Sequence, residues 1–192
     1  MQFDYNSIPD GIKLIKPLHY KKIVSKSQPI NLEDPDLFEK MEKLGWRLVK
    51  SCVDGGGIGL AAPQIGIPLQ AFVGVEFIKP YIWQFTGKIN LFINPEFVIV
   101  KGTDRTSFPE QCLSVPGKTL NIKRPRVVSA SWWGFDKNGK LEQYRETLEG
   151  YPSTLFQHEL DHLNLITIID LYERQNLKPK RGRPKGKKNK RH

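Results

Sequence analysis

The sequence predicts an α+β domain, with helices and strands in separate stretches of chain and one late helix buried against sheet. Three observations carry that prediction. Leu37, Met41, Leu44, Leu48 and Cys52 recur at helical spacing, four later segments read as strands, and a second helix follows them. With 192 residues and 39% hydrophobic content the chain can bury a real core, so one domain with extensions is expected.

The first helix opens at Asp34-Pro35, an acceptor side chain followed by a first-turn proline. Its apolar stripe is core, and Cys52 lies on it, so that thiol reads as packing. Gln70 to Glu76 and Leu91 to Val100 follow as strands. Arg126 to Phe135 and Leu141 to Leu148 form a hairpin across Asp136-Lys137-Asn138-Gly139-Lys140, where Asn-Gly is a strong turn signal. The last helix runs from about Pro152 to Leu165.

That helix carries Gln157-His158-Glu159-Leu160-Asp161-His162. Residues four apart share one helix face, and neutral imidazole is the commonest protein ligand for zinc-like metals. Glu159 projects about 100° away, placed to handle a proton rather than to bind the ion. Such short patterns also recur by chance, so a third ligand is needed. Downstream, Asp170 and Glu173 follow too closely for the usual third carboxylate. Upstream, Cys112 sits between Pro109 and Val115-Pro116-Gly117, punctuation that reads as a loop feeding an extended strand. Alone it would be a small buried hydrophobe, but beside the His pair it becomes the favoured ligand. One thiolate and two imidazoles leave a fourth position open, as catalytic sites do.

Gly55 to Gly66 is a third stretch, a run of small residues containing one amide side chain, Gln64. Glycines let a substrate or another backbone approach closely, and could equally cradle phosphate or form a flexible turn. No Lys-Ser/Thr follows them, which weakens the nucleotide reading.

Gly57-Ile58-Gly59-Leu60-Ala61-Ala62-Pro63-Gln64, Glu110 to Ser114 and Gln157 to His162, in that order, resemble the three motifs of the peptide deformylases, with the likeness spanning residues 10–172. The resemblance implies mixed or antiparallel sheets around a central metal-binding helix. It implies that Cys112, His158 and His162 bind ferrous iron, with Zn2+, Ni2+ or Co2+ as substitutes. Glu159 would be general base and acid, and Gln64 with the Leu113 backbone N–H would face the developing oxyanion. Ile58, Gly59 and Gln111 would border the substrate, the N-formylmethionyl end of a nascent peptide.

Four departures from the family pattern stand out. Gln111 replaces a glycine beside the substrate cleft, and Leu165 replaces a glycine after the last helix, so that helix end is expected to be built differently. Thr119 aligns with a basic residue that faces substrate, leaving Lys118 or Lys123 as substitutes. Lys79 to Gly87 reads as an insertion whose aromatics either lid the cleft or pack on the body.

Residues 1–175 are expected to form the catalytic domain and 176–192 a disordered basic tail. Lys178 to His192 hold six Lys and three Arg with no acid, so nine of the ten formal positive charges sit there and the body carries +1. Lys180-Arg181-Gly182-Arg183-Pro184-Lys185 resembles an AT-hook, whose extended core lies in the narrow minor groove of A·T-rich DNA. The tail therefore reads as a solubilising segment, a tether to the ribosome and its RNA, or a DNA anchor, with strong salt dependence in the nucleic-acid cases. Two cysteines give no disulfide framework, Met1 to Tyr20 shows no signal-peptide block, and no run reaches the ~18 apolar residues of a membrane span. A cytoplasmic setting without membrane partners is expected, in a bacterium, a phage-infected host or an organelle. A metallopeptidase and a catalytically impaired nucleic-acid-binding protein are the competing readings.

Overall fold

Asp34 caps the first helix from the turn before it. Its carboxylate accepts the Asp36 N–H at 2.9 Å and pairs with Lys40 at 2.7 Å, and α1 spans Leu37–Asp54. The helix thus begins beyond the Asp34-Pro35 pair, which forms its capping turn. The predicted stripe, Cys52 included, is buried. The computed structural model describes residues 17–23, 26–79, 82–136 and 138–176, with side chains described outside 75–89. The basic tail from Lys178 onward lies outside the described residues.

After α1 the glycine run turns into β1 (Gly59–Ala61), and a short 3-10 turn over Ala62–Ile65 carries Gln64. β2 (Ala71–Lys79) and β3 (Ile82–Ile99) pair from Ala71 with Ile93 out to Lys79 with Ile82. The expected insertion is therefore mostly strand: β3 starts well before Leu91 because the segment folds back on β2. Pro80 and Tyr81 lie outside the described residues, as do the side chains of Trp83 and Phe85 on which a lid would depend.

β4 (Arg105–Cys112) and β5 (Val115–Pro125) form a two-stranded sheet of their own. Cys112 is thus the last residue of a strand, paired with Val115, rather than part of a loop leading into one. β6 (Val127–Phe135) and β7 (Leu141–Glu149) make the predicted hairpin, paired without slippage from Val127–Glu149 to Phe135–Leu141. Asp136 stabilises its turn by accepting the N–H groups of Asn138 and Lys140, each at 2.8 Å. These strands complete a five-stranded antiparallel sheet in the order β1-β2-β3-β6-β7.

Both faces of this sheet are covered, and strand alternation divides the residues between them. Ala71, Val73, Leu91 and Ile93 face α1. Phe72 and Phe92 face the other way, toward Trp132 and Phe156. Phe156 belongs to α2 (Tyr151–Leu163) and meets Phe72 edge-on at 5.2 Å and Phe92 at 5.5 Å. These contacts seat α2 on the sheet, and truncating such a ring to Ala typically costs about 3–5 kcal/mol.

The end of α2 keeps the backbone that a glycine would favour. Leu165 has φ 61, its N–H bonds the His162 carbonyl at 3.1 Å, and Ile166 N–H reaches the Asp161 carbonyl at 2.9 Å. The helix is closed with a leucine held in the left-handed region, a conformation that ordinarily takes glycine. A third helix, α3 (Ile168–Asn176), went unrecognised in the sequence. Thr167 and Asp170 cap it reciprocally, Ile168 packs with Ile122 and Val115, and Gln175 brackets the Lys123 backbone at 2.9 and 3.0 Å. Asn176, assigned in sequence to the tail, closes this helix.

Candidate metal centre and active site

Three elements meet at one point. β4 delivers Cys112 at its end, α2 delivers His158 and His162 from successive turns, and the turn after β1 delivers Gln64. Cys112 Sγ lies 3.2 Å from His162 Nε2, which lies 3.2 Å from His158 Nε2. All three residues are buried, and their donor atoms fall within 4.8 Å of one another. Two nitrogens bound at about 2.1 Å in a tetrahedron stand roughly 3.4 Å apart, so the spacing suits a single small cation.

The charges around the cluster tell the same story. Burial opposes a proton on His158, but hydrogen bonds to Cys112 and Glu110 outweigh it and raise the imidazole to about 10. His162 is pushed well below its ordinary value by burial, then by His158 and Arg124. Burial thus favours the neutral form of His162, the form that ligates, whereas the partners of His158 favour a positive charge there, which a bound cation would replace.

Behind His158 stands a carboxylate–guanidinium chain. His158 Nδ1 is 2.8 Å from Glu110 Oε2, and Arg124 donates to Glu110 at 2.6 and 3.0 Å and to Asp161 at 2.7 Å. Burial pushes the Glu110 carboxyl up, yet the bonds from His158 and Arg124 hold it below its ordinary range. An ionised Glu110 fixes the ring so that Nε2 faces Cys112, the usual way a ligating histidine is oriented. Gln157 ties the same helix to β5 through the Pro125 carbonyl at 3.0 Å.

Glu159 points elsewhere on α2. Its burial raises the carboxyl to about 7, against His158 and Arg124, which lower it. Its Oε2 is buried without a hydrogen-bond partner among the described residues. A buried acid with one free oxygen, titrating near neutrality, is equipped to accept a proton and give it back. Gly59 makes room for it, since a Cβ there would sit 2.5 Å from Glu159 Oε1 and 2.8 Å from Leu155 Cδ1. Gln64 is locked in place, its Oε1 accepting the Ala61 N–H at 2.7 Å while its Nε2 donates to Ser114 Oγ at 3.1 Å and approaches Cys112 Sγ at 3.8 Å.

A cleft of about 610 Å³ opens over the cluster. Ile58, Gly59, Gln64, Gln111 and Leu113 line it, together with Cys112, His158 and Glu159. His162 is the one expected site residue set back from the cleft wall, 1% exposed beneath its partner imidazole. Gln111 bonds Thr119 Oγ1 at 2.9 Å, so two of the departures touch each other across the β4–β5 hairpin. Lys118 reaches the cleft, whereas Lys123 is held by α3. The sequence reading missed Arg124 and Asp161. Asp161 could have been found from its place between the paired histidines, but nothing local marks Arg124.

A cysteine, two imidazoles and a buried carboxyl with one free oxygen, brought together by one helix and one strand end beside a cleft, suit a metal-dependent hydrolase of amide bonds. The profile of the polypeptide deformylase family matches residues 12–178. A peptide deformylase of Mesorhizobium japonicum is 35% identical over 144 residues, 75% of this chain and 74% of its own length. One from Borreliella burgdorferi is 32% identical over 163 residues, 84% of this chain and 87% of its own. Among solved structures, a probable peptide deformylase from synechococcus phage S-SSM7 aligns with a TM-score of 0.67 at 28% identity, covering 82% of this chain and 99% of that one. The enzyme of Synechococcus elongatus, solved with actinonin, aligns at 0.64 and 26% identity, covering 87% of this chain and 86% of that one. The chain belongs to the polypeptide deformylase family, hydrolases that remove the formyl group from the formylmethionine at the amino end of nascent peptides.

Proposed function

We propose that Cys112, His158 and His162 hold ferrous iron, for which Zn2+, Ni2+ or Co2+ could substitute, and that Glu159, Gln64 and the Leu113 backbone N–H carry out the deformylation around it. The observation that supports this most is the convergence of the three donor atoms within 4.8 Å beside a buried carboxylate whose Oε2 is free. A divalent cation bound there supplies Lewis acidity, which makes water nucleophilic at neutral pH.

Ile58, Gly59 and Gln111 border the peptide and hold it extended across the cleft mouth. Glu159 Oε2 takes a proton from the attacking water as the new C–O bond forms at the formyl carbon. Gln64 and the Leu113 N–H donate to the formyl oxygen as negative charge builds on it; a donor of this kind is typically worth on the order of 3 kcal/mol in the transition state. The C–N bond then breaks, Glu159 returns its proton to the amine nitrogen, and formate and a free amino terminus leave.

The chain through Asn176, the last residue of α3, would act as the catalytic unit and residues 177–192 as a tether. The nine-charge tail is read first as a contact with ribosomal RNA, where formylated chains emerge, and second as an A·T-rich DNA contact through Arg181-Gly182-Arg183-Pro184. Among the described residues no helix is long and apolar enough to cross a membrane, and a thiolate–iron centre suits a reducing cytoplasm.

The test is formate release from formyl-Met-Ala-Ser by protein purified anaerobically with ferrous iron, beside Glu159→Ala. Release by the parent protein and its loss in the variant are expected. A metal-loaded protein that releases no formate would overturn the assignment of roles.

A further inference from the structure

We infer that Lys118 is a specificity-determining residue that favours formylated peptides carrying a carboxylate side chain at the second or third residue. The inference rests on the deformylase reading and adds to it a preference for one class of peptide.

Six ionisable side chains line the cleft: Glu110, Cys112, Lys118, Tyr151, His158 and Glu159. Glu110 is neutralised from behind by Arg124, and His158 and Glu159 lie at its floor, occupied with the reaction. Lys118 is the one Lys or Arg among the residues lining the cleft, and it is exposed at its mouth. Among the described residues it has no ion-pair or hydrogen-bond partner, unlike Lys40, Lys43, Lys50 and Lys140, each of which pairs with an acid. An unpaired ammonium beside a binding surface is available to the ligand.

Its position is set by its neighbours. Gly117 takes φ 74, a conformation other residues resist, and Thr119 is tied to Gln111 on β4 at 2.9 Å. The two anchors hold the Lys118 backbone between them, which lowers the entropy cost of presenting its side chain. Cys112 pairs with Val115 and Glu110 with Leu120, so β5 carries three more residues than β4 between those pairs, and Lys118 lies in that bulge opposite the end of β4 that holds the metal-binding thiol. A peptide whose formyl group sits at Cys112 and whose chain continues along the cleft presents its second and third residues to the wall that Lys118 lines. Any acid there would meet a cation with no competing partner. Gln111 and Thr119, bonded to each other next to Lys118, are uncharged.

A partly exposed pair of this kind gives a preference of up to about fivefold, weakening as salt rises. The measurement is kcat/KM for carboxyl-terminally amidated formyl-Met-Ala-Ala, formyl-Met-Glu-Ala and formyl-Met-Ala-Glu, with the iron-loaded full chain, Lys118→Ala and Lys118→Glu. Each protein is judged by its own ratio of acidic to neutral peptide, so a general loss of activity cancels. The expected result is a ratio above one at one of the two positions, falling to one in Lys118→Ala and inverting in Lys118→Glu. Equal rates on all three peptides, or a preference that survives Lys118→Glu, would overturn the inference. Absence of turnover on every peptide would overturn the deformylase roles, and this inference with them.

Discussion

Replacing Arg124 by Gln should destabilise the protein and loosen its metal site together. Arg124 and Glu110 have side chains only 6% and 5% exposed, and their paired hydrogen bonds at 2.6 and 3.0 Å are joined by the bond to Asp161 at 2.7 Å. Gln removes the positive charge and leaves Glu110 buried with His158 as its remaining partner. Breaking one partner of a buried ion pair typically costs about 3–5 kcal/mol. With a urea slope of about 2 kcal/mol per M, the unfolding midpoint of the chelated protein should fall by about 2 M. Glu110 also fixes the His158 ring, and disturbing such a partner commonly weakens metal binding by about 10–100-fold, readable in a competition titration with a chromophoric chelator. Arg124→Lys keeps a charge without the two-pronged geometry and should fall between the two. A loss below about 1 kcal/mol for Arg124→Gln, with unchanged metal affinity, would refute the claim that this chain of charges supports the ligands.

Leu165→Gly should raise stability, because the left-handed φ of 61 costs a leucine roughly 1 kcal/mol that glycine avoids; thermal unfolding should shift upward by about 2–4 °C. Gly59→Ala should lower kcat at least about tenfold with little change in melting temperature, since the added methyl meets Glu159 Oε1 at 2.5 Å and a terminal carboxylate can swing aside only by leaving its place. Gln64→Ala should lower kcat by about 10²-fold in the formate assay, and also cost about 1 kcal/mol of stability through the lost bond to Ala61. Alkylation followed by mass spectrometry should label neither cysteine in the metal-loaded protein. Chelation should open Cys112, while Cys52, buried and with its thiol pushed far up by burial and by Glu159, should stay unlabelled until the chain unfolds.

The parts of the fold that were legible are those where local pattern and burial coincide. The α1 stripe faces a sheet already covered by hydrophobic residues, so its 3.6-residue period was complete. The β6–β7 hairpin carried its own turn chemistry in Asp136 and Asn138-Gly139. β4 was obscure because Arg105-Thr106-Ser107-Phe108-Pro109-Glu110-Gln111-Cys112 offers little apolar alternation and contains a proline, which a two-stranded sheet tolerates at its edge. α3 was obscure for another reason. Thr167 and Asp170 form a capping pair, but the acid drew attention as a possible ligand, and a nine-residue helix buries only one residue fully.

The site divides along the same line. His158, His162 and Glu159 were readable because one helix period relates them, and Cys112 because few side chains can complete such a set. Arg124 was not readable, since its importance comes from β5 passing behind α2, a relation between segments that share no local pattern. Yet Arg124 decides whether Glu110 stays ionised in a buried place, and Glu110 decides which nitrogen His158 presents. The ligand set visible in the sequence therefore depends on a residue visible only in the fold, and a chain keeping the three motifs while losing Arg124 should bind its metal poorly.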